Sequence, residues 1–374
     1  MEHPESKKLL ITLGGIRMIN CIMDRVLKNQ FTLIAEVGVN YYDIARKENI
    51  SAMDAAKLMV DKAKEAGIHA VKFQTYKAGT IAAKNSPSYW DTNMEPTTSQ
   101  YELFKKFDHF GYEEYKELSE YCDQIGIEFL STAFDFDSAD YLYDLMNVYK
   151  ISSSDLNNLP FVEYQAKKGK PIILSIGASN EDEIDRTIAT IRSVNSCPII
   201  LLHCVLEYPT PLEHANLNKI VTLKNRYPDL IIGYSDHTKI FPDYEIQKTA
   251  YNLGAICIEK HYTLDKTIKG NDHLHSMDNI DARNIIEGIA KIDSYRGRYE
   301  LTCLDSEKIS RQNARRSVVS ATDICKGTEI TADMLTFKRP GTGINPADVD
   351  NVVGKVAMED IPEDTIMQYS MISK

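Results

Sequence analysis

From residue 31 onward, short apolar or β-branched runs alternate with longer stretches whose apolar residues recur at helical spacing. The runs are FTLIAE (31–36), AVKFQT (70–75), IEFLST (127–132), VYKISS (148–153), PIILSI (171–176), PIILLHC (198–204), LIIGYS (230–235) and AICIEKH (255–261). Between them lie periodic segments such as AMDAAKLMVDKAKEAG (52–67) and GYEEYKELSEYCDQIG (111–126). Each ends in glycine, the usual residue just past a helix C-terminus. Strands alternating with helices imply crossover connections and a parallel sheet. Eight such repeats between residues 30 and 293 match an α/β fold of the (β/α)₈ TIM-barrel type.

A barrel of this kind places its functional groups at the C-terminal ends of the strands. Strands buried on both faces normally read as continuous Val, Ile and Leu. Here the ends are polar instead. They carry Glu36, Lys72 with Gln74, Thr132, Ser153 with Asp155, Ser175, His203 with Tyr208, Ser235 with His237, and His261. The pattern predicts a ring of active-site residues around the barrel mouth.

The rhythm changes after an eighth helix at about residues 279–293. SYRGRYELTCLDSEKISRQNARRS (294–317) is polar and charge-rich and reads as a linker. Beyond it, short β-branched runs and the KGT and PED turns predict a compact β-rich second domain. The expected organisation is an N-terminal extension (1–29), a catalytic barrel (30–293), a linker (294–313) and a small β-rich domain (314–374). LLITLGGIRMINCIM (9–23) is too short to span a bilayer and is interrupted by two glycines and Arg17. It reads as part of the extension, or as an artefact of start-site choice given Met18 and Met23.

Composition narrows the function classes. The chain has 374 residues, 43% hydrophobic and 26% charged, so it is an ordinary globular protein able to bury a large core. A formal net charge of -11 argues against a nucleic-acid partner, which would need clustered Lys and Arg. Any anionic substrate must therefore be held locally. Seven scattered cysteines without CxxC spacing point to a reduced, cytoplasmic protein.

Several strand-end residues carry chemistry. His237 and His261 end consecutive strands, so a closed barrel makes them neighbours, and two imidazoles suit a divalent transition metal. Neither SDH nor EKH is a specific metal motif, and each histidine could equally cap its strand end. Lys72 and Lys150 lie in strands; an interior-facing pair would hold an anion such as a phosphorylated ligand, whereas an outward one would snorkel. Glu36 can serve as a general base or pair with a basic neighbour such as Lys72. Cys204 beside His203 has apolar flanks that mark an inert buried thiol.

The ordered set IAEVGVN, VKFQT, FLSTAFD, YKISSSD, PIILSIG, LLHCVLEYPTP, IIGYSDHT, EKHYTLD and GNDH, followed by ARRSVVSATDICKGTEIT and FKRPGTGI, resembles the sialic acid synthase family. The resemblance runs from about residue 31 to the C-terminus and includes a terminal antifreeze-like (SAF) domain. It implies condensation of phosphoenolpyruvate with an N-acylated mannosamine-type aldehyde to give a nine-carbon 2-keto sugar acid and phosphate. By resemblance, His237 and His261 are the ligands of a divalent metal, Mn²⁺ before Mg²⁺ or Co²⁺. Lys72, Thr132, Lys150, Ser153, Ser175 and Ser235 form the phosphoenolpyruvate pocket. Glu36 is the acid/base or water-positioning carboxylate, assisted by Asp155. Gln74, Tyr208 and Asp272 contact the sugar, and Arg339 is lent to the partner's site, which implies a domain-swapped homodimer.

Three departures from the family pattern stand out. SSSD (152–155) replaces the commoner GSGE, Leu206 in HCVLEYP replaces an asparagine, and KGNDH replaces PGPDH, with an unusual LHSMD (274–278) after it. All three fall on the sugar side of the mouth. The default substrate is N-acetylmannosamine, yielding N-acetylneuraminate. The rival is a 2,4-diacetamido-2,4,6-trideoxy hexose, yielding legionaminate or pseudaminate. A deoxy-octulosonate or deoxy-heptulosonate synthase shares the barrel chemistry but lacks the SAF segment and SDHT. A catalytically silent sugar-phosphate scaffold is the reading from another class, and the retained histidines, lysines, Glu36 and Arg339 oppose it.

Overall fold

The structure is a computed structural model that describes residues 20–270 and 272–374. The extension reading for residues 1–19, with the start-site reading of Met18, lies outside the described residues, as does Asn271. The chain divides into two compact units at Arg296/Gly297.

In the first unit eight parallel strands close into a barrel in sequence order. They are β1 (Thr32–Gly38), β2 (Ala70–Thr75), β3 (Glu128–Ala133), β4 (Tyr149–Ile151), β5 (Ile172–Ser175), β6 (Ile199–Cys204), β7 (Ile231–Asp236) and β8 (Cys257–His261). β8 pairs back onto β1, with His261 opposite Glu36. The first two periodic segments fold as expected. Ala52–Glu65 starts at Ser51, whose hydroxyl accepts from the Asp54 amide, and it buries Ala55, Ala56, Met59, Val60 and Ala63 against the barrel. Tyr112–Ile125 stops at Gly126, which takes the left-handed φ of 81° that only glycine adopts without strain.

The segment 20–29, grouped with the extension on sequence, contributes to the barrel unit. The helix Cys21–Val26 buries Ile22, Met23 and Val26 in the main core. The Ile22 amide donates to Glu128 Oε2 at 2.6 Å, at the start of β3. Burial pushes Glu128 up to about 8, although that amide works against the rise. One and a half helical turns are too short to register as periodicity. The last barrel helix, Asn279–Arg296, likewise runs three residues into the segment read as linker.

The second unit holds an antiparallel pair, β9 (Ser317–Ser320) and β10 (Leu335–Lys338). Its own core comprises Val318, Ile324, Ile330, Ile344, Val352, Ala357, Ile361, Met367 and Ile372. Within the linker, Lys308–Ala314 is helical. No helix among the described residues is long and apolar enough to cross a membrane.

Candidate active site

Strand alternation decides which polar residues reach the barrel interior. On β8 the alternation sends Glu259 and His261 inward, while Lys260 turns out toward the helices. There Lys260 Nζ meets Asp236 Oδ2 at 2.8 Å, both side chains fully buried. Gln247 and Thr238 also donate to Asp236. Three of the five YSDHT residues, Tyr234, Asp236 and Thr238, therefore brace the strand and helix layers, and Ser235 and His237 face the mouth. His203, counted among the strand-end groups, also turns outward: its Nε2 lies 2.8 Å from the Ala215 carbonyl and its ring stacks on Tyr234.

Inside the mouth, four charged side chains form one buried cluster. Lys72 pairs with Glu36 and lies 3.7 Å from Glu259 Oε1. Lys150 Nζ lies 3.6 Å from the same Glu259 oxygen. Gln74 Nε2 donates to Glu36 Oε1 at 2.8 Å, Lys72 donates to Thr132 Oγ1 at 3.0 Å, and Ser235 donates to Glu259 Oε1 at 3.3 Å. The salt-bridge reading of Glu36 holds, since it pairs with Lys72 at the mouth. Burial pushes the Glu36 carboxyl up to about 7, with Lys72 opposing and Glu259 adding to the rise. For Glu259, burial acts upward, yet Lys150 and Lys72 outweigh it and hold the carboxyl below its ordinary value. Burial pulls Lys150 down, aided by Lys72 and resisted by Glu259. Lys72 is held up, because Glu259 and Glu36 outweigh its burial. When Glu36 takes a proton, the cluster carries one excess positive charge and is suited to an anion.

The hydroxyl groups sit around this cluster with different degrees of commitment. Ser175 is buried, and its Oγ has no partner among the described residues. Ser153 Oγ accepts from the Gly177 amide at 2.8 Å. β4 is only three residues long, so Ser153 and Asp155 lie in the turn Ser153–Asp155 beyond it. Asp155 accepts from Ser152 at 3.1 Å within that turn, and burial raises its pKa. Among the described residues no hydrogen bond joins Asp155 to Glu36.

The histidines form a second cluster. His237 Nδ1 lies 2.7 Å from the Val205 carbonyl, which fixes the proton on Nδ1 and leaves Nε2 with a free lone pair. Its ring is 5.4 Å from that of His261, centroid to centroid. Burial holds His261 and His275 well below the usual histidine range, and neighbouring imidazoles add to the effect. Asp272 Oδ2 lies 3.7 Å from His261 Nδ1. His261 and His275 supply bare buried nitrogens and Asp272 a carboxylate, a donor set that fits a divalent metal; His237 stands beside this group and outside it. Cys204, marked inert by its apolar flanks, is buried but places its sulfur 3.8 Å from His237 Nδ1. Burial opposes ionisation of the thiol, and His237 outweighs it, so the pKa is lowered.

Beside the histidines opens a cleft lined by Gln74, Tyr76, Tyr89, Tyr208, His261 and Asp272. Gln74, Tyr208 and Asp272, read from the sequence as sugar contacts, thus line one cleft. Leu206 is 37% exposed. Arg339 is exposed in the second unit, on the loop after β10.

Sequence reasoning missed two residues. Glu259 is a carboxylate two positions before His261 in AICIEKH, so alternation alone places it on the interior face. His275 lies on a loop, where no periodicity operates; its one signal was the unusual LHSMD.

The profile of the NeuB family matches residues 59–300, and that of the SAF domain matches residues 315–373. A Legionella pneumophila protein named N,N'-diacetyllegionaminic acid synthase is 36% identical over 349 residues, covering 91% of this chain and 94% of its own. The N-acetylneuraminate-9-phosphate synthase of Mus musculus is 32% identical, covering 92% and 94%. The crystal structure of a sialic acid synthetase from Leptospira borgpetersenii superposes with a TM-score of 0.66 at 31% identity, covering 80% of this chain and 94% of that one. A closed barrel with its ionisable groups gathered at the strand ends, followed by an independent β-rich unit, agrees with these matches: the chain belongs to the NeuB family of synthases and is a transferase-type enzyme.

Proposed function

We propose that the protein condenses phosphoenolpyruvate with an N-acylated aminohexose, giving a nine-carbon 2-keto sugar acid and phosphate. One observation carries this reading: among the described residues, two buried lysines are charge-balanced by Glu36 and Glu259 alone, beside a histidine cluster in the same mouth. Lys72 and Lys150, with Thr132, Ser153, Ser175 and Ser235, hold the phosphoryl and carboxylate oxygens by charge-assisted hydrogen bonds. Gln74, Tyr208 and Asp272 hold the sugar. His237 and His261 hold a divalent ion, with Asp272 close by. Such an ion supplies Lewis acidity toward the aldehyde oxygen.

The methylene carbon of the enol phosphate attacks the aldehyde carbon, forming the new C–C bond and leaving a cationic centre at the enol carbon. Glu36 and Glu259 stabilise that charge. Glu36 takes the proton from the water that adds there and returns it to the alkoxide left on the aldehyde oxygen; collapse of the tetrahedral species then breaks the C–O bond, and phosphate leaves with the hydroxyl proton as the ketone forms. Arg339 of a second copy completes the sugar side in a domain-swapped homodimer. All seven cysteines are free, which suits a reducing, cytoplasmic setting.

The base role sets a pH profile. Glu36 must be ionised to accept a proton, so kcat/KM should rise with pH through about 7, and the limb should vanish in Glu36→Gln. A limb retained in that variant contradicts the assignment. The stability sign is opposite: a carboxyl raised from 4.5 contributes stability fully present below pH 4.5 and lost as pH rises through about 7.

A specific observation favours the diacetamido-trideoxy hexose over N-acetylmannosamine. Leu206 presents an exposed apolar side chain, and the cleft wall carries Tyr76, Tyr89, Phe104 and Phe107. A 6-deoxy, doubly acetylated sugar offers more apolar surface to such a wall than a fully hydroxylated one. The N,N'-diacetyllegionaminic acid synthases among the relatives support the same choice. In direct competition, the diacetamido sugar should be consumed at least about tenfold faster, the discrimination expected from one or two apolar contacts. Preference for N-acetylmannosamine would return the reading to N-acetylneuraminate.

A further inference from the structure

His275 is fully buried, and neither of its ring nitrogens has a hydrogen-bond partner among the described residues. A desolvated imidazole with both nitrogens bare is costly unless a ligand satisfies it. Its ring lies 4.8 Å from that of His261 and 6.1 Å from that of His237, centroid to centroid. One donor atom each from His261, Asp272 and His275 fall within 4.8 Å of one another.

The loop holds His275 in this place. The Met277 amide donates to the His261 carbonyl at 2.8 Å, and the Thr263 amide donates to the Met277 carbonyl at 3.0 Å. Ser276 Oγ donates to the Asp272 carbonyl at 2.6 Å, closing the turn that carries both donors. His275 is thus tied to the end of β8 and not merely near it.

We propose that His275 is a third imidazole ligand of the ion at the barrel mouth, so that His237, His261 and His275 with Asp272 select a borderline metal such as Co²⁺, Fe²⁺ or Zn²⁺ over Mg²⁺. The proposal rests on the reading of His237 and His261 as metal ligands. Imidazole donors favour the later transition metals, whereas Mg²⁺ takes oxygen donors. Two nitrogens bound to one ion at about 2.1 Å lie about 3.4 Å apart at a tetrahedral angle, so the donors of His261, Asp272 and His275, within 4.8 Å of one another, need to close by at most about 1.4 Å, and His237 must turn toward them.

The test uses metal-free full-length protein with Co²⁺ as the probe and no substrate. Calorimetry gives the affinity, and X-ray absorption at the cobalt edge counts imidazoles. The parent should bind one Co²⁺ per chain through three imidazoles and keep it against a large excess of Mg²⁺. His275→Gln should bind Co²⁺ at least about tenfold more weakly, since even partners beyond the direct ligands are worth about 10–100-fold. Its spectrum should show two imidazoles, with a metal-free melting temperature no lower than the parent's. Equal affinity and imidazole count in parent and His275→Gln overturn the proposal. So does a count of two in the parent, a result that does not depend on the variant folding. His237→Ala separates the underlying reading: if it loses Co²⁺ while His275→Gln does not, the two-histidine site stands and only the third ligand falls. A parent that binds no Co²⁺ removes both.

Discussion

His261→Ala should lose the bound divalent ion and about 10²–10⁴ of the turnover while the barrel remains folded. The size follows from Lewis-acid stabilisation worth several kcal/mol, at 1.36 kcal/mol per decade of rate. His261 is the node of the histidine cluster, with its ring 5.4 Å from His237 and 4.8 Å from His275 and its Nδ1 3.7 Å from Asp272. Its removal therefore spoils the cluster from both sides. The fold should survive, because β8 is held by backbone pairing to β1 and β7 and the His261 side chain makes no hydrogen bond among the described residues. Metal content by elemental analysis, steady-state rate and circular dichroism check the three parts. Full activity with full metal content would overturn the assignment.

Glu259→Gln should produce the largest loss of stability among single changes in the mouth. Glu259 Oε1 is shared by Lys72 at 3.7 Å and Lys150 at 3.6 Å, and all three side chains are buried. Without that carboxylate, Lys150 has no anionic partner within salt-bridge distance among the described residues. Leaving a buried charge uncompensated costs about 3–5 kcal/mol, and a barrel of this size should melt about 5–15 °C lower. The deficit should be repaired by an anion in the place proposed for phosphoenolpyruvate. Added inorganic phosphate should therefore raise the melting temperature of Glu259→Gln more than that of the parent, through binding linked to folding. A variant that melts with the parent, or gains nothing extra from phosphate, would show that Glu259 is not what neutralises the lysines.

The barrel was legible because its strands and helices have distinct periods, and Ala52–Glu65 and Tyr112–Ile125 obey them with glycine stops in place. Strand ends were legible too, since Glu36, Lys72, His237 and His261 interrupt otherwise apolar runs. Alternation was the signal not pressed far enough. It separates Ser235 and His237 from Asp236, and Glu259 and His261 from Lys260, yet the outward-facing His203 was grouped with the mouth. Loop-borne groups were the harder case. The position of His275 depends on hydrogen bonds between the loop and the end of β8, which no local pattern encodes. The short helix Cys21–Val26 escaped for a similar reason: it is stabilised by packing and by Glu128, not by an amphipathic repeat.

The measurement that tests the central claim most directly uses phosphoenolpyruvate labelled with ¹⁸O at the bridging oxygen, incubated with metal-replete enzyme with and without the diacetamido sugar or N-acetylmannosamine. Condensation followed by water addition at the enol carbon predicts phosphate release only when an aminohexose is present, with the label in the phosphate. Release without sugar, or phosphate lacking the label, would contradict the proposed condensation.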